Sequence, residues 1–242
     1  MIAGMQAPPP VVYGAAMAYV ELERRAVGEA TVFVLTMVDD DNRFHADSVA
    51  EWHAAVDEVE ASTGPAALVT TGRAKFYSNG FALERLIEEG TLGEVIPDAL
   101  RLFARFLRLP VYSVAALNGH VFAAGAMLAM AHDARVMRAD RGYWCLPEAD
   151  MGVPLAPGMT ALVAAKLPVA TAHAAIMTAR RWGGDEAVIA GIVDEAVPED
   201  RVLERAVELA AARAATDRDA TVALRTGLYG DVIATLERGE LT

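Results

Sequence analysis

The run Asn118-Gly119-His120-Val121-Phe122-Ala123-Ala124-Gly125-Ala126-Met127-Leu128 constrains this chain more than any other segment. It reads as a buried strand that passes through a turn of small residues into a helix. The first N–H groups of a helix have no intrahelical acceptor, and the helix dipole adds positive potential there. Side chains as small as alanine and glycine let a ligand come close to those amides. Amides placed in this way suit a carbonyl oxygen that gains negative charge during reaction, as a thioester oxygen does on enolisation.

Two further segments share that chemistry. Ala74-Lys75-Phe76-Tyr77-Ser78-Asn79-Gly80-Phe81 offers a second donor turn, in which Gly80 can take the positive φ a tight turn needs. Leu146-Pro147-Glu148-Ala149-Asp150-Met151-Gly152 supplies an acid, Glu148, with Trp144, Leu146, Pro147 and Met151 near it as an apolar wall. Burial of a carboxylate in such surroundings raises its pKa toward the range useful for proton transfer. Two donors and one base make an enolate site.

Strand-like runs at Thr31 to Val38, Ala67 to Thr71, Val111 to Leu117, Ala134 to Ala139 and Tyr143 to Leu146 alternate with helical patterns, which predicts an α/β fold with crossover connections. Asp47-Ser48 followed by Glu51 has the character of a capping box, and Val49, Trp52, Val56 and Val59 recur at helical spacing. A helix is expected over Gly93 to Arg108, ended by Pro110. After Gly152 the chain turns helical at Pro157 to Lys166, Val169 to Ala179, Asp185 to Ala190 and Glu199 to Ala214, with one strand at Val193 to Val197.

With 54% hydrophobic residues, the 242-residue chain can bury a large core. Three consecutive prolines in Met1 to Pro10 predict a loose N-terminal arm over residues 1–16. The apolar stretch Val11 to Val20 is too short to span a bilayer and runs into Glu21, Glu23, Arg24 and Arg25, so neither a signal peptide nor an anchor is expected. A single cysteine, Cys145, excludes an internal disulfide, fits a reducing compartment and reads as a core thiol; the expected location is cytoplasmic. His120, His132 and Asp150 read as structural, and no metal-ligand spacing is present. The net charge of −12 argues against nucleic-acid binding, while Arg73 and Lys75 leave room for a small anionic ligand.

The order of these segments, over about residues 30 to 200, resembles the crotonase, or enoyl-CoA hydratase/isomerase, superfamily, whose members bind acyl-CoA thioesters. The likeness includes Phe33-Val34-Leu35-Thr36-Met37, Asn42 and Ala187 to Pro198. It implies a spiral of ββα units over 17–200, a helical C-terminal region over 201–242, and assembly as a homotrimer or hexamer. It assigns the backbone N–H groups of Phe81 and Ala124 as the oxyanion donors and Glu148 as the base, and it makes Arg73 and Lys75, which border the first donor loop, the candidate CoA-binding residues; Phe76, Phe81, Met127 and Trp144, close in sequence to these groups, are the candidate shapers of the acyl pocket. No metal is implied, and no cofactor beyond the coenzyme A of the substrate.

The chain departs from the common family pattern at four places. Ala123 and Ala124 stand where consecutive glycines are usual, and Ala82 replaces the usual aspartate after the first donor. Met127 occupies the position of the first of the two glutamates that hydratases carry; Glu148 occupies the second. One carboxylate suffices for a 1,3-proton shift, whereas hydration is helped by two. The resemblance therefore implies a Δ3,Δ2-enoyl-CoA isomerase, and the runs His120, His132-Asp133, Arg138 to Gly142 and Glu148 to Gly152 are especially similar to the peroxisomal isomerases of plants. The alternatives are enoyl-CoA hydration, acyl-CoA hydrolysis, and a catalytically silent acyl-CoA-binding subunit.

Overall fold

A computed structural model describes residues 19–241 of the chain. The arm expected over residues 1–16 lies outside them.

The chain opens with an antiparallel pair, β1 (Val20–Val27) and β2 (Ala30–Met37), and then α1 (Ala46–Glu60). Three rounds follow, each placing a longer strand, a shorter strand and then helix. They are β3 (Ala66–Gly72), β4 (Phe76–Ser78), α2 (Leu83–Glu89) and α3 (Leu92–Phe106); β5 (Tyr112–Leu117), β6 (His120–Phe122) and α4 (Ala124–Ala131); and β7 (Ala134–Arg138), β8 (Trp144–Cys145) and α5 (Glu148–Met151). The second half adds α6 (Pro157–Lys166), α7 (Val169–Thr178), α8 (Gly184–Ile189), β9 (Glu195–Val197), α9 (Val202–Ala211) and α10 (Arg218–Arg238).

The longer strands form one sheet in the order β1-β2-β3-β5-β7-β9, parallel from β2 onward, and the shorter ones form a parallel sheet in the order β4-β6-β8. The α/β spiral of ββα units is thus present. Alternation along β2 sends Phe33 and Leu35 into the core shared with α1, α3, α4 and α6, while Val32 and Val34 join Val69 and Val114 under Val202, Ala206 and Ala210 of α9. Helix α10 packs on α3 and α6. Its buried Arg225 donates to the Val111 carbonyl at 3.0 Å, to the Leu109 carbonyl, and to both oxygens of Asp133. The expected C-terminal helical region therefore helps to close the core.

Three local readings change. The capping box of α1 is built three residues earlier than expected: His45 Nδ1 accepts from the Ser48 N–H and Ser48 Oγ accepts from the His45 N–H. Asp47 is already inside the first turn and pairs with Arg85 at 3.0 Å, while Glu51 accepts the Tyr19 and Val20 N–H groups. Strand β1 was hidden by its charges, because it is an edge strand whose Glu21, Arg24, Ala26 and Val27 face solvent. The short α2 has too few residues to show a helical period.

Candidate active site

Because β4, β6 and β8 are parallel, their carboxyl ends lie at one edge of the small sheet, and the three segments singled out in the sequence leave from that edge. Asn79-Gly80-Phe81 follows β4, Ala123-Ala124 follows β6, and Pro147-Glu148 follows β8. Phe81, Ala124 and Glu148 line a single cavity of about 530 Å³.

The hydrogen bonds around the two donor turns explain how each amide is aimed. The carbonyl of Gly80 belongs to the same peptide group as the Phe81 N–H and accepts from the Phe44 N–H at 2.8 Å. The carbonyl of Ala123, in the same peptide as the Ala124 N–H, accepts from Ala126 and Met127 at 2.9 and 3.1 Å. In a trans peptide C=O and N–H point in opposite directions, so fixing each carbonyl fixes its amide. Among the described residues neither amide donates to a protein acceptor, leaving both available to a ligand.

The substitution of alanine for glycine has a visible cost. Ala123 sits at φ 49 and ψ −124, a region that glycine dominates, and such strain is of order 1–3 kcal/mol. Its methyl group lies against Gly80: a Cβ built on Gly80 would fall 2.8 Å from Ala123 Cβ, so the two donor turns touch and Gly80 has no room for a side chain. The donor amide of Ala124 survives this change.

Glu148 begins the one-turn helix α5. The turn closes as a Schellman motif, with Val153 N–H donating to the Glu148 carbonyl at 3.1 Å and Gly152 N–H, at φ 67, to Ala149 at 3.4 Å. The side-chain carboxylate is largely desolvated, and its Oε2 is buried without a hydrogen-bond partner. Burial raises its pKa above the ordinary carboxylate value, opposed in part by its own backbone N–H. A carboxylate with unused accepting capacity, facing a cavity with two free amides, can remove a proton from a carbon acid whose conjugate charge rests on those amides.

The cavity brings in residues that the sequence did not mark. Arg43 lines it, held by Asp41 through Nε and Nη2 at 3.3 Å each, and Nη1 donates to the Phe81 carbonyl at 3.4 Å. Asp41 also accepts from Asn79 Nδ2 at 3.2 Å, and its backbone carbonyl accepts from the Asn79 N–H at 3.0 Å. The loop before α1 is therefore a scaffold for the first donor turn. Glu84, an exposed carboxylate on α2, lines the cavity as well.

Other predicted residues fall elsewhere. Met127 and Trp144 have no exposed surface, Phe76 is packed beside His120 and Phe122, and none of the three lines the cavity. Of the expected pocket residues Phe81 does line it, and the rest of the apolar lining is Phe122, Leu83, Leu92, Ile96 and Met159, with further residues of the 151–156 segment. Every residue of α4 is buried, so Met127 points into core on whichever side it lies. The Trp144 ring packs against Trp182, centroids 5.8 Å apart and tilted by 60°. Arg73 is exposed and paired with Glu21 at 2.7 Å, Lys75 sits 5.0 Å over the Phe76 ring, and both stand outside the lining. Cys145 is buried, donates to the Ala179 carbonyl at 3.2 Å, and is pushed by burial to a pKa of about 11. Among the described residues no three His, Cys, Asp or Glu side chains gather as metal ligands would, and no helix is long and apolar enough to cross a membrane.

A model of the family described as enoyl-CoA hydratase/isomerase matches residues 28–239. Enoyl-CoA delta isomerase 3 of Arabidopsis thaliana is 34% identical over 213 residues, covering 83% of this chain and 90% of that protein. The peroxisomal enoyl-CoA delta isomerase 2 of the same plant is 34% identical over 219 residues, 85% and 91% of the two chains. Among solved structures, a Mycobacterium tuberculosis protein described in one structure as an enoyl-CoA isomerase and in another as a probable enoyl-CoA hydratase superposes, in the first, with a TM-score of 0.83 at 25% identity, over 91% of this chain and 95% of that one. With its spiral of ββα units and three turns meeting at one cavity, this chain belongs to the enoyl-CoA hydratase/isomerase family.

Proposed function

We propose that the protein is a Δ3,Δ2-enoyl-CoA isomerase that works with one glutamate. The observation that carries this reading is the buried, unpartnered Oε2 of Glu148 in the same cavity as the free amides of Phe81 and Ala124. The Glu148 carboxylate takes a proton from carbon 2 of a 3-enoyl-CoA, and the electron pair moves into the thioester as a dienolate. Its oxygen rests on the two amides, each of which contributes about 10²- to 10³-fold in rate. Protonated Glu148 then delivers the same proton to carbon 4, leaving the double bond between carbons 2 and 3. No cofactor is needed beyond the coenzyme A of the substrate.

Arg43 is the cation best placed to meet CoA phosphate as it enters, with Arg73 and Lys75 serving the part that lies beyond the cavity. Assembly as a homotrimer or hexamer would cover exposed apolar side chains such as Val169, Ile189, Leu224 and Leu228. A second reading, enoyl-CoA hydration, is favoured by one observation: Glu84 puts a second carboxylate at the cavity. Met127, buried at the position where hydratases carry their first glutamate, weighs against it.

The test is incubation with trans-3-hexenoyl-CoA, following the absorbance of the conjugated enoyl thioester with product identification. Formation of 2-enoyl-CoA by the native protein and its loss in Glu148→Gln is the expected result. Hydration of crotonyl-CoA without isomerisation would establish the hydratase, release of free CoA a hydrolase, and saturable binding without turnover a silent acyl-CoA-binding subunit.

A further inference from the structure

The apolar walls of the cavity include Leu92 and Ile96 of α3, Met159 of α6, and Leu241, which lies beyond α10. The end of α10 is locked between those two helices by two close approaches. A Cβ built on Gly158 of α6 would fall 2.9 Å from Leu236 Cδ2 and 3.0 Å from its Cα, and Leu236 has no exposed surface. Gly239 ends α10 in the left-handed region at φ 64, and a Cβ there would fall 2.8 Å from Pro97 Cβ inside α3. Arg238 and Glu240 pair at 3.2 Å, each about half exposed, while Leu241 is half-buried and lines the cavity.

We infer that Leu241, held by the turn at Gly239 against Pro97, is the acyl-chain stop: the side chain that fixes how many carbons the cavity accepts. This rests on the acyl-CoA reading above. Met159 can yield by changing rotamer, whereas Leu241 follows a left-handed turn at Gly239 that has no room for a side chain beside Pro97. A chain that reaches Leu241 gains no more apolar burial from further methylenes.

The experiment is calorimetric binding of saturated acyl-CoAs from butanoyl to dodecanoyl to the native protein, Leu241→Ala and Leu241→Trp. Each added methylene that enters the cavity raises affinity by up to ~4-fold, and the gain stops where the chain meets the wall. The break moves to longer chains in Leu241→Ala and to shorter ones in Leu241→Trp, while affinities for chains short of the break stay the same. A break at one length in all three proteins overturns the stop and leaves the acyl-CoA reading intact. Failure of the native protein to bind any acyl-CoA overturns both. Because Leu241 is only half-buried and follows the last helix, neither substitution threatens the fold, which a thermal melt verifies.

Discussion

Glu148 and His132 are both ionisable side chains taken out of water, and burial displaces the titration of both, but only one is left with work to do. His132 is fully buried and held at a pKa of about 3 by desolvation. Its Nδ1 lies 2.8 Å from the Leu128 carbonyl, which can only accept, so Nδ1 carries the hydrogen. Nε2 of the neutral ring then accepts from Thr70 Oγ1 at 2.9 Å, and Thr70 in turn accepts from the Tyr77 hydroxyl at 2.8 Å. The network is closed within the core. Glu148 has a bare oxygen and a cavity in front of it. A displaced pKa marks burial; unspent hydrogen-bonding capacity beside an accessible space marks chemistry.

The sharpest way to break this contrast is Glu148→Gln. Turnover of a 3-enoyl-CoA falls about 10²- to 10⁴-fold, the usual worth of a general base. The melting temperature holds or rises, since a buried charge without a partner has been removed. A melt several degrees lower would make Glu148 a structural residue like His132. The reverse pattern is expected for His132→Leu, which leaves the Thr70 hydroxyl and Leu128 carbonyl without their ring partner. Denaturant unfolding shows a loss of about 1–3 kcal/mol, with kcat/KM of the folded protein unchanged.

The two groups also respond oppositely to pH. His132 has a folded pKa below its unfolded 6.5, so between 6.5 and about 3 the unfolded chain binds more protons. Its contribution to stability is whole above 6.5 and is lost as the pH falls, at up to about 1.4 kcal/mol per pH unit. Glu148 has a folded pKa above 4.5, so between 4.5 and that raised folded value the folded chain binds more protons and stability falls as the pH rises. Catalysis needs the carboxylate, so kcat/KM climbs over the same window with a midpoint above 4.5. Denaturant titrations across pH with His132→Leu, beside a pH–rate profile, separate the two slopes. A rate profile flat down to pH 4.5 would remove Glu148 as the titrating base.

Much of the site was legible because its chemistry is contiguous in sequence. A strand end, a small-residue turn and a helix start can be read from a dozen residues, and parallel pairing then brings three such turns to one edge. The walls could not be read this way. Leu92, Ile96, Met159 and Leu241 lie on elements separated by up to the length of the fold, and Arg43 acquires its place only when Asp41 and Asn79 meet. Phe76, Met127 and Trp144 were expected at the acyl pocket because they lie close in sequence to the reacting groups. Proximity along the chain is a poor guide where a strand three residues long is buried on both faces, as β4 is, or a helix on all sides, as α4 is.

The smallest expected effect tests whether the His132 network is as closed as its geometry indicates. Tyr77→Phe removes one hydroxyl from a wholly buried ring and leaves Thr70 with its bond to His132 intact. Thr70 Oγ1 loses a donor but keeps an acceptor for its own hydrogen, so the loss is that of one ordinary hydrogen bond, about 1 kcal/mol in denaturant unfolding. Burial already holds the Tyr77 phenol far above its ordinary pKa, so the change adds no pH dependence below the alkaline range. Activity stays at the native level, because Tyr77, Thr70 and His132 are not among the residues that line the cavity. A loss of turnover without a loss of stability would instead connect the buried chain of Tyr77, Thr70 and His132 to the Ala124 donor through α4, whose Leu128 carbonyl anchors the imidazole.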